Sequence, residues 1–304
     1  VTGVTVRVPA KLNLQLAVGP PRADGYHDLV TVFHAVSLFD EITAEPARRD
    51  GVSVSGEGAD RVPADGDNLA LRAVSALRAE VPSAPGVHIT IAKRIPVAAG
   101  LAGGSGDAAA ALVACNELWA GGFGPPQLAE IAARVGSDVA FALLGGTAVG
   151  RGRGEQLTSA LAPATQYHWV LAFADGHLST PAVYAALDRQ RAREQVPAEP
   201  GLDAALMSAL RSGDARLVGR ALSNDLQPAA LSLFPALRKT LAAGLELGAL
   251  GALVSGSGPT CVFLAASADR ALDLAASLSG AGVCRSVARA SGPAPGAAII
   301  SGAR

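Results

Sequence analysis

The chain is poor in aromatic and charged residues. Phe, Trp and Tyr make up 4% of its 304 residues and Asp, Glu, Lys and Arg 17%, with a formal net charge of −1. Charge so sparse and balanced leaves no basic face of the kind nucleic-acid binders carry, so no nucleic-acid partner is expected. Cysteine is scarce as well. Cys115, Cys261 and Cys284 stand far apart without CxxC spacing, which argues against a metal ribbon or disulfide framework and suits buried thiols in a reducing cytoplasm. The stretch VTGVTVRVPAKLN has no basic start leading into a long apolar run, so no signal peptide is expected. One uncharged stretch does occur, 247–268, but Gly256, Gly258 and Pro259 in its middle would break a spanning helix. Buried strand, loop, and strand or helix is the better reading, with no membrane partner.

What is present is length, apolar residues and glycine. Hydrophobic residues reach 50% and glycines number 35, enough chain for one large or two medium domains with real cores. VTVRVPAKLNLQLAV alternates like a strand, VTVFHAVSLFDEITAEP looks like one or two more, and GVSVSG follows. DNLALRAVSALRAEV predicts a helix capped by Asp67 or Asn68, and GVHITIAKRIP a strand closed by Pro96. After a glycine-rich stretch come the helices DAAAALVACNELWA, PPQLAEIAARVG and SDVAFALLGG. GTAVGRGRGEQLTSA reads as a strand running into a loop. The pattern then restarts: strand YHWVLAFADG, helix TPAVYAALDRQRAREQ, a charged loop to AEPG, two helical stretches, the strand region GALVSGSGPTCVFLA, helix SADRALDLAASLSGAG and strand CRSVARA. A boundary at 155–165 divides the chain into 1–160 and 161–304, with no internal repeat.

The glycine stretch, AAGLAGGSGDAAAAL at 98–112, raises a sharper question, because glycine at that density costs folding entropy. No lysine follows Gly104 or Gly106, so it is not a Walker A loop. Gly100, Gly103, Gly104 and Gly106 have the wrong spacing for a dinucleotide fingerprint, and no acidic residue closes a βαβ unit about 20 residues on. What remains is strand, proline, glycine–serine loop and helix. Successive backbone N–H groups at a helix N-terminus bind phosphate; a glycine turn that merely packs the helix closely is the alternative.

PVAAGLAGGSGDAAA resembles the phosphate loop of the small-molecule kinases named for galactose, homoserine, mevalonate and phosphomevalonate. VPAKLNLQLAV matches the first motif of that family and LVSGSGPTCVFL its third, in the expected order. The resemblance implies an α+β, two-domain kinase fold: an N-terminal nucleotide-binding domain with a left-handed βαβ feature and a C-terminal ferredoxin-like domain, with the site between them. AKLNL, RADGYHDLVTVF, GDNLALRA, GSDVAFAL, STPAVY and LSNDLQP are similar to the branch that phosphorylates the 2-hydroxyl of a cytidine diphosphate-linked methylerythritol, in the non-mevalonate isoprenoid pathway. The sequence departs from that pattern at Ala98, Ala99 and Ala102, where glycine is common, and at Gly106-Asp107, where Ser-Asn is common.

Phosphoryl transfer to an alcohol needs a proton acceptor, positive charge near the transferring group and exclusion of water. Asp138 follows a serine read as a cap and opens a helix, whose dipole favours a carboxylate there; alone it would be a simple cap, and the resemblance makes it the base. Lys11, otherwise an edge-strand lysine, is implied to pair with it. Asn13 shares a strand face with Lys11 and would position the substrate. The resemblance implies that Tyr26 and Tyr184 sandwich cytosine while His27 hydrogen-bonds it; without it, Tyr26 and His27 are turn packing and Tyr184 is core. ATP would be held by Pro96, Val97, Ala98, Ala99, Gly100, Leu101, Ala102, Gly103, Gly104, Ser105 and Gly106, with Asn68, Leu69 and Lys93 around the adenosine. Read alone, Lys93 is a solvated strand-end lysine. The turn at 255–259 would support the site from the second domain. Mg²⁺ is expected with ATP, and no residue pattern marks its protein ligands or an oligomer interface. Another kinase of the same family, or a non-catalytic sensor of ATP and sugar, is the competing reading; Lys11 and Asp138 together speak against the sensor.

Overall fold

Residues 3–160, 165–192 and 196–302 are described by a computed structural model. The chain opens with two long antiparallel strands, β1 (Val4–Pro21) and β2 (His27–Ala47), joined by a short turn. β3 (Gly51–Gly56), α1 (Leu69–Arg78) and β4 (Gly86–Lys93) form a crossover whose two strands pair in parallel. The helices α2 (Gly103–Leu118), α3 (Pro125–Val135) and α4 (Ser137–Leu144) follow, then β5 (Thr147–Arg151) and β6 (Gln156–Ser159). Beyond lie β7 (Tyr167–Phe173), α5 (Thr180–Arg191), α6 (Ala204–Ser212), α7 (Ala215–Ala221), β8 (Ser223–Asn224), α8 (Gln227–Leu233) and α9 (Ala236–Glu246). The chain ends in β9 (Gly251–Val254), β10 (Cys261–Ala265), α10 (Ala268–Gly280), β11 (Ser286–Gly292) and β12 (Ala298–Ser301).

Two sheets result. The first runs β12-β1-β2-β4-β3, with β5 also on β2, β6 on β5 and β8 on β1. The second is a four-stranded antiparallel sheet in the order β11-β7-β10-β9. Counted along the chain, that order is 4-1-3-2 with α10 between its last two strands. It is a ferredoxin-like arrangement whose first crossover has grown into five helices, α5 to α9.

β1 is buried on both faces through most of its length, as a central strand with layers on either side must be. Val4, Val6 and Val8 pack into a core with α1, α2 and α4, where Leu77, Ala110, Leu112 and Val139 are fully covered. Further along, Ala10, Leu12 and Leu14 belong to a second core shared with Trp169 and Leu171 of the other sheet. Irregular pairing at Pro9/Ala10 bends the ladder between these two tasks, as bulges do, and a second irregularity follows at Asn13/Gln15. Lys11, Asn13 and Gln15 lie on the opposite strand face, buried at 8% exposure or less.

Several sequence expectations change. α2 starts at Gly103, not Asp107, so the glycine stretch is itself the first turn of the helix. GTAVGRGRGEQLTSA is a hairpin of two strands, since β6 pairs back on β5. GALVSGSGPTCVFLA, by contrast, keeps the reading of strand, loop and strand, its two strands pairing antiparallel around a tight turn. The two helical stretches expected before it are four helices, α6 to α9. The boundary expected between 160 and 161 borders residues 161–164, and the end of the TPAVYAALDRQRAREQ helix reaches 193–195; both lie outside the described residues. β8 and β12, from the later half of the chain, pair with β1 of the first sheet. Among the described residues no helix is long and apolar enough to cross a membrane. Cys115 and Cys261 are buried free thiols, pushed up to about 12 by burial, and Cys284 is half-buried.

Candidate active site

A cleft of about 1570 Å³ is lined by both halves of the molecule: the β1–β2 pair, the start of α2, the start of α4, the start of α5 and the β9–β10 turn. Lys11 projects into it from β1. Its Nζ donates to Asn13 Oδ1 at 2.6 Å and lies 3.9 Å from Asp138 Oδ2. Asn13 Nδ2 donates in turn to Thr31 Oγ1 at 2.8 Å, and that hydroxyl to the Gln15 carbonyl at 2.7 Å. This buried chain fixes the orientation of the Asn13 amide and holds its oxygen toward the lysine. Burial lowers the Lys11 pKa, and the Asp138 carboxylate opposes that shift by favouring the ammonium.

Asp138 sits in the first turn of α4. The serine before it is not the cap, as the sequence suggested: Ser137 is already helical and the capping position is Gly136, in extended backbone with φ 175°. Asp138 is therefore the second helical residue, one position further into the helix than a serine cap would have put it, and still within the turn whose N–H groups lack intrahelical partners.

The loop from Ile95 to α2 turns back on itself through positive φ at Ala98 (55°), Gly100 (77°) and Ala102 (57°). Two of these are alanines, in a conformation that costs L-residues roughly 1 kcal/mol or more. Gly100 is the position where glycine is needed, because a Cβ there would run into the Ser255 carbonyl and Gly258. Ser255 Oγ donates to the Gly100 carbonyl at 3.1 Å and the Lys11 N–H to the Leu101 carbonyl at 3.2 Å. Ala102 ends the loop without a side-chain cap, leaving the first N–H groups of α2 free toward the cleft beside Gly103, Gly104 and Ser105.

At the other end of the cleft, Tyr26 is 54% exposed, with the Arg153 guanidinium 3.8 Å from its ring centroid. His27 is buried, its Nε2 2.9 Å from Asp188 Oδ1, and its ring lies 5.0 Å from that of Tyr184. A carboxylate only accepts, so Nε2 carries the proton and, in the neutral ring, Nδ1 is an acceptor. Thr180 and Ser257 share a hydrogen bond of 2.8 Å across the cleft floor, and Asn224 Nδ2 clamps the β9–β10 turn by donating to the carbonyls of Val254 and Gly256.

The structure thus brings Lys11, Asn13, Tyr26, His27, Asp138, Tyr184, Leu69 and the loop residues Ala98, Ala99, Gly100, Ala102, Gly103, Gly104 and Ser105 onto one cleft. Others go elsewhere. Lys93, expected at the adenosine or in solvent, is 4% exposed, its Nζ held by Asp40 at 2.5 Å and Asp107 at 2.7 Å. Asn68 is spent as the cap of α1, accepting from the Ala70 N–H and donating to the Pro63 carbonyl. Leu101 is core, and Gly106 packs its backbone against Val8. Pro96 and Val97 shape the approach to the loop and do not line the cleft. Sequence reasoning missed Asp188, Arg153 and Thr180. Thr180 lay within a matched motif, whereas Asp188 and Arg153 reach their partners across 161 and 127 residues and leave no local signal.

Residues 68–146 match the model of the GHMP kinases N-terminal domain, and residues 206–284 that of the GHMP kinases C-terminal domain. A protein of Thermobifida fusca named 4-diphosphocytidyl-2-C-methyl-D-erythritol kinase is 59% identical across 98% of this chain and 99% of its own. The chain belongs to the GHMP kinase family. Among solved structures, a 4-(cytidine 5'-diphospho)-2C-methyl-D-erythritol kinase superposes on this kinase with a TM-score of 0.75 at 34% identity, covering 94% of this chain and 98% of that one. A homoserine kinase from Cytophaga hutchinsonii has a TM-score of 0.76 at 20% identity over 99% and 98% of the two chains, a likeness of fold alone.

Proposed function

We propose that this kinase transfers the γ-phosphoryl group of ATP, taken as its magnesium complex, to the 2-hydroxyl of 4-diphosphocytidyl-2-C-methyl-D-erythritol. The observation that carries this is the Lys11–Asp138 pair set in the same cleft as the open N-terminus of α2. The free N–H groups there suit the triphosphate. Asp138 accepts the hydroxyl proton as the new P–O bond forms and the bond to the ADP oxygen breaks. Lys11 offsets the negative charge gathering between them. Magnesium travelling with ATP would be held chiefly by the phosphates and water, with few protein ligands.

Tyr26, His27 and Tyr184 form the cytosine end. His27 with its proton on Nε2 offers Nδ1 as an acceptor to the exocyclic amine of cytosine, where uracil presents a carbonyl that would be repelled. The Tyr184 ring is half-buried, and burial raises its hydroxyl pKa, which keeps the phenol neutral beside the base.

The test is ADP release with a panel of alcohols. The cytidine diphosphate-linked methylerythritol is expected to turn over with homoserine and mevalonate inert; faster turnover of either would move the protein to another branch. Asp138→Asn in a folded protein is expected to lower turnover roughly 10²–10⁴-fold, the usual worth of a positioned base, with ATP binding kept within a few-fold. Near-normal turnover would exclude Asp138 as the base.

A further inference from the structure

Beneath the glycine loop, and outside the cleft, three ionisable side chains meet with almost no solvent exposure. Lys93 Nζ at the end of β4 lies between Asp40 Oδ2 of β2 and Asp107 Oδ2 of α2, with side-chain exposures of 1%, 0% and 4%. Asp40 does more than neutralise the lysine: its Oδ1 accepts the backbone N–H groups of Arg94 at 2.6 Å and Ile95 at 2.9 Å. Arg94 and Ile95 are where the chain leaves β4 for the loop, and Asp107 is where it has settled into α2. Both ends of the segment 94–107 are therefore tied to one buried ammonium. Gly103 lies directly over it; a Cβ there would approach Lys93 Nζ to 3.0 Å and Ile95 Cγ2 to 3.1 Å.

We infer that the Asp40–Lys93–Asp107 cluster is a positioning device for the phosphate loop, holding the first N–H groups of α2 in place for ATP without touching it. The loop needs such support. It has three positive-φ turns, two of them at alanine, and no side-chain cap, so local interactions alone do not favour its shape. Asp107 is the member that can be removed without leaving a stranded charge. Two carboxylates share one ammonium, and Asp107 Oδ1 has no hydrogen-bond partner among the described residues, so its loss leaves Lys93 and Asp40 as a balanced pair.

This inference rests on the reading that α2 binds ATP, and the experiment separates the two. Binding of ATP and of the cytidine substrate is measured in separate calorimetric titrations, alongside thermal unfolding. Gly104→Val tests the loop itself, because Gly104 is exposed and, among the described residues, a Cβ there meets only Leu69. Asp107→Ala is expected to fold, to weaken ATP about tenfold or more, to leave the cytidine substrate within about twofold and to speed amide exchange at residues 100–106. Asp107→Asn, which keeps an acceptor for Lys93, is expected to restore ATP affinity to within about threefold of the wild type. The inference is overturned if Gly104→Val weakens ATP but Asp107→Ala does not, or if Asp107→Ala weakens both ligands equally. Unchanged ATP binding in Gly104→Val would instead remove the underlying reading, and this inference with it. Should Asp107→Ala not fold, the Asp107→Asn and Asp107→Ser pair decides. Equal ATP affinity in those two would overturn the inference, because serine is too short to reach Lys93.

Discussion

At the residue scale, two buried ionisable groups pull the stability of this protein in opposite directions with pH. His34 is fully buried; burial lowers its pKa to about 3, and it stays neutral with Nδ1 on Thr147 Oγ1 at 2.8 Å. Between pH 6.5 and about 3 the unfolded chain takes up a proton that the native state refuses. Stability attributable to His34 therefore falls as pH drops, by about 1.4 kcal/mol per unit. Asp107 does the reverse. Burial, with only one ammonium for two carboxylates, pushes it up to about 7. Between its unfolded value and about 7 the native state holds a proton that the unfolded chain has lost, so stability falls as pH rises. Urea unfolding from pH 4 to 8 is expected to show His34→Gln losing less stability than wild type on acidification, and Asp107→Asn gaining on wild type as pH rises to 7. Parallel curves would mean that neither group is held as described.

The tyrosines belong to the same scale. A base stacked on an aromatic side chain is worth about 1–3 kcal/mol, so Tyr184→Ala is expected to raise KM for the cytidine substrate roughly 5- to 150-fold while leaving KM for ATP nearly unchanged. Tyr184→Phe should be close to neutral, since stacking needs only the ring. Equal effects of Tyr184→Ala on the two substrates would dismiss the clamp.

At the element scale, α2 and β1 each serve two masters. The alanine-rich face of α2 is buried against α1 and the first sheet, which is why Ala108–Ala111 carry no larger side chains: every one is fully covered. Its glycine-rich first turn instead divides between packing and access. Gly103 faces Lys93 and Ile95, while Gly104 faces the cleft. Gly104→Val is therefore the substitution expected to block the triphosphate selectively, whereas Gly103→Val should disturb the ion cluster below and cost stability as well. Calorimetric ATP titration and melting temperature for the pair distinguish these outcomes. β1 shows the same division between its faces, Leu12 and Leu14 in the core and Lys11 and Asn13 in the cleft, since successive strand residues point oppositely.

At the scale of the whole molecule, the cleft exists because the β9–β10 turn presses onto the glycine loop. Gly100 is the contact point, at φ 77° and with the Ser255 carbonyl against the space a Cβ would fill. Gly100→Ala is expected to destabilise the fold by about 1–3 kcal/mol through strain and displacement and to lower turnover beyond what the loss of folded protein explains. Denaturant unfolding together with turnover per folded molecule measures both; wild-type values would show that the two parts meet without consequence there. β8 and β12 stitch the later half of the chain onto β1, so the two sheets are joined by strand pairing as well as by a shared core.

Much of this was legible in the sequence, for physical reasons. The strand alternation of β1, the helical spacing of α1 and α3, and the glycine loop followed by alanines are local patterns, and local sterics and burial determine them. The motifs around Lys11, Gly104, Asp138 and Tyr184 were recognisable through their resemblance to a kinase family; read alone, the same segments offered an edge lysine, a glycine turn, a helix cap and a core tyrosine. What tertiary structure alone decided is which groups meet. Lys93 looks like a solvated strand end until Asp40 and Asp107, 53 and 14 residues away, close over it. His27 gains a fixed tautomer only when α5 brings Asp188 beneath it. Local sequence sets which conformations each segment prefers, but the pairing of buried charges and the exclusion of water depend on distances that only the folded chain defines.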